Sequence, residues 1–135
     1  MAHASDRQTG PAVHPCIALV VAAGRGTRVG GPVPKQYRDL NGVPVLRRSL
    51  ETLARHPRID GVRVVFNPLD AEYYERASDG LDLLDPVAGG AERQESVRRG
   101  LESLAEFAPD RVLIHDGARP FLDAPLVDRL VAALD

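Results

Sequence analysis

The side chains able to do chemistry fall into three short clusters. The first is Gly24-Arg25-Gly26-Thr27-Arg28 followed by Lys35, a glycine-rich loop carrying cations. The second is Gly89-Gly90-Ala91 with Arg93 and Ser96 just beyond it, and the third is the run from His115 through Asp116 to Phe121. Glycines without Cβ atoms let a backbone approach a ligand and turn successive N–H groups into one concavity, which suits phosphate. Arg25, Arg28 and Lys35 around such a loop suit a substrate whose negative charge rises during reaction, as in phosphoryl and nucleotidyl transfer. Of the 17 lysines and arginines, every one is arginine except Lys35. The one compact ammonium therefore sits beside the loop, where a point charge on a flexible stem can follow a phosphate oxygen better than a planar guanidinium. The bland alternatives are chance placement of Lys35 and plain solvation of Arg25 and, less readily, of Arg28.

Asp116 is a candidate magnesium ligand, because magnesium takes hard oxygens and keeps only one or two carboxylates beside substrate phosphates; a simple turn aspartate is the competing reading. His115 reads as a hydrogen-bonding partner at a strand end rather than a catalytic base, and with no second histidine or cysteine near it a zinc site is not expected. The glycine loop also approximates a dinucleotide-binding loop. Such a loop turns directly into its helix, whereas here the chain runs on through Pro32 and Pro34 to a first clear helix at Pro44. The strand ending Phe66-Asn67-Pro68 also lacks the acidic residue that would hold a ribose, and no Gly-Lys-Ser/Thr of a Walker loop occurs.

These clusters need elements to hold them. Ile17 to Val21 reads as a strand buried on both faces, as in a central parallel strand. Gln36 to Val43 reads as an irregular turn broken at Asn41-Gly42, and Pro44 opens a helix whose face is Val45, Leu46, Leu50, Leu53 and Ala54, stopping near His56-Pro57. Gly61 to Phe66 is the second strand, Asp70 to Ala77 a short helix capped by Asp70, and Leu81 to Val87 contains a third strand. A helix over Glu92 to Phe107 carries the stripe Val97, Leu101, Leu104 and Phe107. Arg111 to Ile114 is the fourth strand. Asp123 then caps a last helix with Leu126, Val127, Leu130, Val131 and Leu134 on its apolar face. Repeated β-α units predict an α/β fold, a doubly wound, mostly parallel sheet. Ligands of such sheets bind outside the carboxyl ends of the strands, so all three clusters are expected along one rim.

Length and composition set the bounds. With 135 residues, 44% hydrophobic and 27% charged, the chain is expected to be one soluble globular domain over residues 16–135 behind a polar, frayed tail at 1–15. A net charge of -2 gives no sign of a polyanion-binding surface, so nucleic acid is not an expected partner. No apolar run has the length to cross a bilayer, so no membrane association is expected. Cys16 is the single cysteine; it reads as a small buried hydrophobe and points to a reducing, cytoplasmic setting.

Val21-Ala22-Ala23-Gly24-Arg25-Gly26-Thr27-Arg28, then Pro34-Lys35-Gln36-Tyr37, then Gly89-Gly90 with Arg93 and Ser96-Val97, then His115-Asp116-Gly117-Ala118-Arg119-Pro120-Phe121, resemble in order and spacing the 2-C-methyl-D-erythritol 4-phosphate cytidylyltransferases of the non-mevalonate isoprenoid pathway. The resemblance spans Cys16 to Asp135. It implies a Rossmann-like nucleotidyltransferase fold and transfer of CMP from CTP to methylerythritol phosphate with release of pyrophosphate, using Mg2+ or another divalent cation. It assigns catalysis to Arg28 and Lys35, and nucleotide binding to Ala22, Ala23, Gly24, Arg25, Gly26 and Thr27. Gly89, Gly90, Ala91, Arg93 and Ser96 match the nucleotide's other positions, although some members carry aspartate where this chain has Ala91. Asp116 matches a metal and substrate position, and Arg119 a substrate and subunit-contact position; a homodimer is implied for the full-length enzyme.

Members of the family run on past the position of Asp135, so the resemblance leads us to expect a chain lacking part of the acceptor-binding half and incomplete on its C-terminal side. Ribitol 5-phosphate cytidylyltransferases and other sugar-phosphate or molybdenum-cofactor nucleotidyltransferases carry similar motifs. A CTP-binding fragment without catalysis is the alternative of a different class.

Overall fold

The computed structural model describes residues 15–24, 33–119 and 122–134. Strand β1, Cys16–Ala22, is buried along its whole length, because its aliphatic run offers no polar side to turn toward water. Burial pushes the Cys16 thiol up from its ordinary value, consistent with a packing role. Of the residues read as a tail, only Pro15 is described; its carbonyl accepts from Asp110 N at 3.0 Å, so it already belongs to the amino end of the sheet.

Beyond the loop, Lys35–Tyr37 form a single 3-10 turn. Strands β2 (Asp39–Leu40) and β3 (Val43–Pro44) then pair antiparallel. The expected irregular turn is therefore a hairpin. Asn41 and Gly42 have φ of 56° and 81°, the left-handed pair that a two-residue type I′ connection requires. Helix α1, Val45–Arg55, begins directly after Pro44 and stops ahead of Pro57, and buries Val45, Leu46, Leu50 and Leu53 as expected. Strand β4 is Gly61–Phe66. Helix α2 is Ala71–Ser78, but Asp70 makes no side-chain cap there and is turned inward; Asn67 instead accepts from Leu69 N at 3.0 Å in the preceding turn.

The third strand is much shorter than expected: β5 is only Val87–Ala88. Pro86 has no N–H for a ladder, and Leu81 to Asp85 are held otherwise. Leu84 N donates to Val62 O at 2.9 Å, and the buried Arg63 donates from Nε to Asp85 O at 3.0 Å. Arg63 also reaches Ser103 O from Nη1 at 2.9 Å and lies over the Phe107 ring, 5.4 Å from its centroid. Helix α3, Arg93–Ser103, ends before a separate 3-10 turn, Ala105–Phe107, and the predicted stripe is displaced. Leu101 and Phe107 are 41% and 36% exposed, while Ser96, Gly100 and Leu104 are buried. The sheet is met by small residues, and the helix packs close to it through Gly100.

Strand β6, Arg111–Asp116, runs two residues further than predicted, since His115 and Asp116 continue the ladder opposite Val20 and Val21. Helix α4, Ala124–Leu134, is capped as expected, with Asp123 Oδ1 accepting from Leu126 N at 2.9 Å. It buries only Val127 and Val131; Leu130 and Leu134 are exposed.

Strands β1, β4, β5 and β6 form one parallel sheet in the order β5-β4-β1-β6. It is Rossmann-like and doubly wound. Cys16, Ala18, Val20 and Ala22 of β1 pack with α1, α2 and α4, whereas Ile17, Leu19 and Ala23 pack with Val65 and Leu104 on the α3 side. Among the described residues, no helix is long and apolar enough to cross a membrane.

Beside its apolar face, α1 carries a polar column that pins the link from β6 to α4. Ser49 Oγ lies 3.1 Å from His115 Nε2 and donates to Arg119 O at 3.1 Å. One turn on, Thr52 Oγ1 donates to Leu122 O at 3.1 Å, and His56 Nε2 meets Asp128 Oδ1 at 2.7 Å. Burial holds the His115 imidazole below its ordinary value, against the opposing pull of its Arg119 backbone bond and Asp116.

This packing can be probed at Gly100 and at His115. A Cβ on Gly100 would lie 2.7 Å from Val65 Cγ2 and 2.8 Å from Leu19 Cδ1. Overpacking costs about 1–3 kcal/mol against a helix-propensity gain of about 1 kcal/mol, so Gly100→Ala is expected to lower the denaturant midpoint despite putting a better helix former in α3. For His115, the unfolded chain takes up a proton near 6.5 while the folded chain resists it. The stability it contributes is thus present above that value and lost as pH falls through the folded pKa. Calorimetric Tm between pH 7.5 and 5 is expected to fall less steeply for His115→Gln than for the natural protein.

Candidate active site

The carboxyl ends of β1, β4 and β6 finish nearly level, with Ala22 opposite Phe66 and Val21 opposite Asp116. There, among the described residues, a cavity of about 230 Å³ opens, lined by Val21, Ala22 and Gly24 from the end of β1, Lys35 and Gln36 from the 3-10 turn, and Asp116 and Ala118 from the end of β6. Gly90, Ala91, Glu92, Arg93 and Ser96 close it from the start of α3. All three clusters expected along one rim are represented in it. β1 has β4 on one edge and β6 on the other, which makes this the point where strand order reverses and where such sheets bind ligands.

Of the residues singled out from sequence, the cavity gathers Ala22, Gly24, Lys35, Gly90, Ala91, Arg93, Ser96 and Asp116. Arg25, Gly26, Thr27 and Arg28 lie outside the described residues, as do Pro120 and Phe121. Ala23 and Gly89 stand behind the lining rather than in it. A Cβ on Gly89 would come within 2.6 Å of both Ala23 Cβ and Ser96 Oγ, so only glycine lets the loop after β5 lie this close to the end of β1. Arg119 does not line the cavity; its carbonyl is held by Ser49 and its residue is exposed.

The Gly89 to Ala91 loop is clasped by the first turn of α3. Ser96 is buried, and its Oγ accepts from Gly90 N at 3.0 Å. Glu95 Oε1 accepts from Ala91 N at 3.1 Å while Oε2 takes Arg99 Nη2 at 2.7 Å, and Arg99 Nη1 donates to Gly89 O at 3.2 Å. The Ala91 N–H and then Arg99 hold the Glu95 carboxyl below its usual range. The N–H groups of Gly90 and Ala91 are thus already committed, and the loop's remaining hydrogen-bonding capacity is mostly carbonyl lone pairs.

Asp116 Oδ1 accepts from Ala118 N at 3.0 Å, and Gly117 N donates to Val21 O at 2.9 Å. This turn keeps the carboxylate at the rim. Among the described residues no three His, Cys, Asp or Glu side chains cluster, so a closed protein cage is not what they form. One carboxylate on the wall of this open cavity nevertheless fits magnesium, which draws most of its ligands from water and substrate.

Sequence reasoning quotes Gln36 within a motif but gives it no role, and it passes over Glu95, Arg99 and Ser49. Gln36 sits next to the lone lysine in a segment that reads only as a turn, and Glu95 and Arg99 are an i,i+4 pair indistinguishable by spacing from a solvated ion pair.

Comparison with known proteins agrees with this geometry. The bifunctional enzyme IspD/IspF of Rhodospirillum rubrum is 58% identical over 118 residues, covering 87% of this chain and 31% of that protein. The chain therefore spans about a third of the length of the curated relatives it matches. The structure of 4-diphosphocytidyl-2C-methyl-D-erythritol synthase from Anaerococcus prevotii superposes with a TM-score of 0.73 at 28% identity, over 90% of this chain and 51% of the other. The bifunctional IspDF of Campylobacter jejuni gives a TM-score of 0.68 at 25% identity, over 90% and 31%. The sequence pattern of IspD matches residues 16–135, and the chain belongs to the 2-C-methyl-D-erythritol 4-phosphate cytidylyltransferase family.

Proposed function

We propose that this region binds CTP and, in the full-length protein, transfers its cytidylyl group to 2-C-methyl-D-erythritol 4-phosphate. A phosphate oxygen of the acceptor attacks the α-phosphorus of CTP and forms the new P–O bond. The bond from that phosphorus to the oxygen bridging toward the β-phosphorus breaks, and pyrophosphate leaves with the electron pair. The observation that carries the reading is the meeting of the glycine-loop end, the Lys35 turn, the Gly90 loop and Asp116 around one cavity.

In this reading the glycine loop from Gly24 through Arg25, Gly26 and Thr27 wraps the triphosphate. Lys35, with Arg28, stabilises the charge that builds on the α-phosphate as it becomes five-coordinate. Lys35 suits this role by being exposed and at the cavity wall. Asp116 would hold Mg2+, which when bound neutralises phosphate charge and orients the triphosphate. Gly89, Gly90, Ala91, Arg93 and Ser96 form the side that takes the nucleoside. Because Ser96 and Glu95 already occupy the loop's N–H groups, its carbonyls favour the 4-amino donor of cytosine over the 4-oxo acceptor of uracil. Arg119, exposed on the turn after β6, is assigned to the acceptor and to a homodimer contact by resemblance. A reducing cytoplasm suits the single buried Cys16.

The second reading is that this region binds CTP without itself carrying out transfer. A pyrophosphate-release assay with CTP, Mg2+ and each of two acceptors, methylerythritol phosphate and ribitol 5-phosphate, separates them. Release with methylerythritol phosphate and CTP, and far less with UTP, is expected of the full-length protein; CTP binding without release from either acceptor favours the second reading. Lys35→Ala is expected to cut kcat by roughly 10²–10³-fold while changing CTP affinity by less than about tenfold. Unchanged turnover would remove Lys35 from the mechanism.

A further inference from the structure

Gln36 is a polar residue in a short turn, yet it is only 4% exposed. A carboxamide nitrogen carries two hydrogens, and both are used: Nε2 donates to Ala22 O at 2.8 Å and to Gly24 O at 2.8 Å. Ala22 is the last residue of β1, and Gly24 opens the glycine loop. In a trans peptide the N–H points away from its own C=O. Drawing the Ala22 carbonyl toward Gln36 therefore turns the Ala23 N–H to the other side, and the second bond holds Gly24 where it lines the cavity.

The turn that carries Gln36 is gripped from a second direction. Tyr37 is buried, its ring stacks on Tyr73 at 5.5 Å, and Tyr37 N donates to Pro34 O at 2.9 Å. Lys35 is the exposed member of the same turn and lines the same cavity as Gly24. Its backbone is thus tied to the core through Tyr37 and to the glycine loop through Gln36.

We propose that Gln36 is a positioning residue for the polyphosphate end of the site: by bridging the Ala22 and Gly24 carbonyls it locks the Lys35 turn to the carboxyl end of β1, so that Gly24 and Lys35 meet a triphosphate as one preformed unit. The inference rests on the nucleotide-transfer reading of this cavity. It acts through Gly24 and Lys35 and needs no contact between Gln36 and the reacting atoms. A binding element that must first be ordered weakens apparent affinity by the fraction of time it is ordered, and that is the loss Gln36 prevents.

The test uses the full-length protein, with CTP and cytidine titrated calorimetrically in Mg2+ and Tm recorded alongside. Gln36→Met keeps the length and removes both donors. It is expected to raise the Kd for CTP about tenfold while leaving cytidine affinity within about twofold and Tm within a few degrees, roughly. On a Lys35→Ala background the same substitution is expected to cost less than about threefold, because the two residues then no longer act as a unit. Equal losses for CTP and cytidine, independent losses in the double variant, or CTP binding unchanged by Gln36→Met would each overturn the assignment. If Gln36→Met does not fold, Gln36→Asn retains a carboxamide one methylene too short to span both carbonyls, and CTP affinity equal to the natural protein's would again overturn it. A natural protein that binds no CTP sinks the nucleotide-transfer reading and this assignment together, whereas loss of the Gln36 effect alone leaves the reading intact.

Discussion

The constraint on which the rest of the molecule depends is the complete enclosure of β1. It is paired in parallel on both edges, and all its residues are buried. A strand so held cannot slip by one residue without sending every side chain to the wrong face, so the position of its carboxyl end is fixed by the whole sheet. The chain leaving that end inherits the precision. Ala22 and Ala23 are small where the backbone departs from the sheet, and Gly89 approaches Ala23 closely enough to exclude any side chain.

The two faces of the sheet have different tasks. On one, α1, α2 and α4 cover the larger core, and the polar column Ser49, Thr52 and His56 uses the edge of α1 to hold the chain leaving β6. On the other, α3 sits alone, drawn in by Gly100 and Ser96, and its first turn clasps the Gly90 loop. The site therefore takes its rigidity from elements whose main occupation is packing. Its side chains need little machinery of their own, because the backbone groups beneath them are already committed.

Much of this is legible in the residues. The aliphatic run of β1, the Gly61 to Phe66 strand, the helix after Pro44 and the cap at Asp123 each carry local chemistry that tertiary context reinforces. So does the gathering of Gly24, Gly90 and Asp116, which parallel topology alone implies. The failures have a common cause. Asp70 reads as a cap from its type, but the fold turns it inward; Leu101 and Phe107 read as core from their hydrophobicity, but Gly100 decides which side of α3 meets the sheet. Leu81 to Asp85 carry enough apolar residues for a strand, yet a guanidinium from β4 claims backbone that would otherwise pair. The role of Gln36 stays hidden because nothing in sequence separates a carboxamide facing water from one holding two distant carbonyls.

That guanidinium has a further consequence. Arg63 is buried with its donors satisfied by the Asp85 and Ser103 carbonyls and its flat face over Phe107. These partners are dipoles and a quadrupole, none of which titrates, and arginine itself keeps its charge across the whole biological range. The fastening between β4, the 81–86 segment and the end of α3 is consequently blind to pH. On the opposite face the corresponding fastening includes His115, an imidazole whose burial opposes the proton. The α1 side is thus fastened in part through a group that acid can charge, whereas the Arg63 fastening contains none.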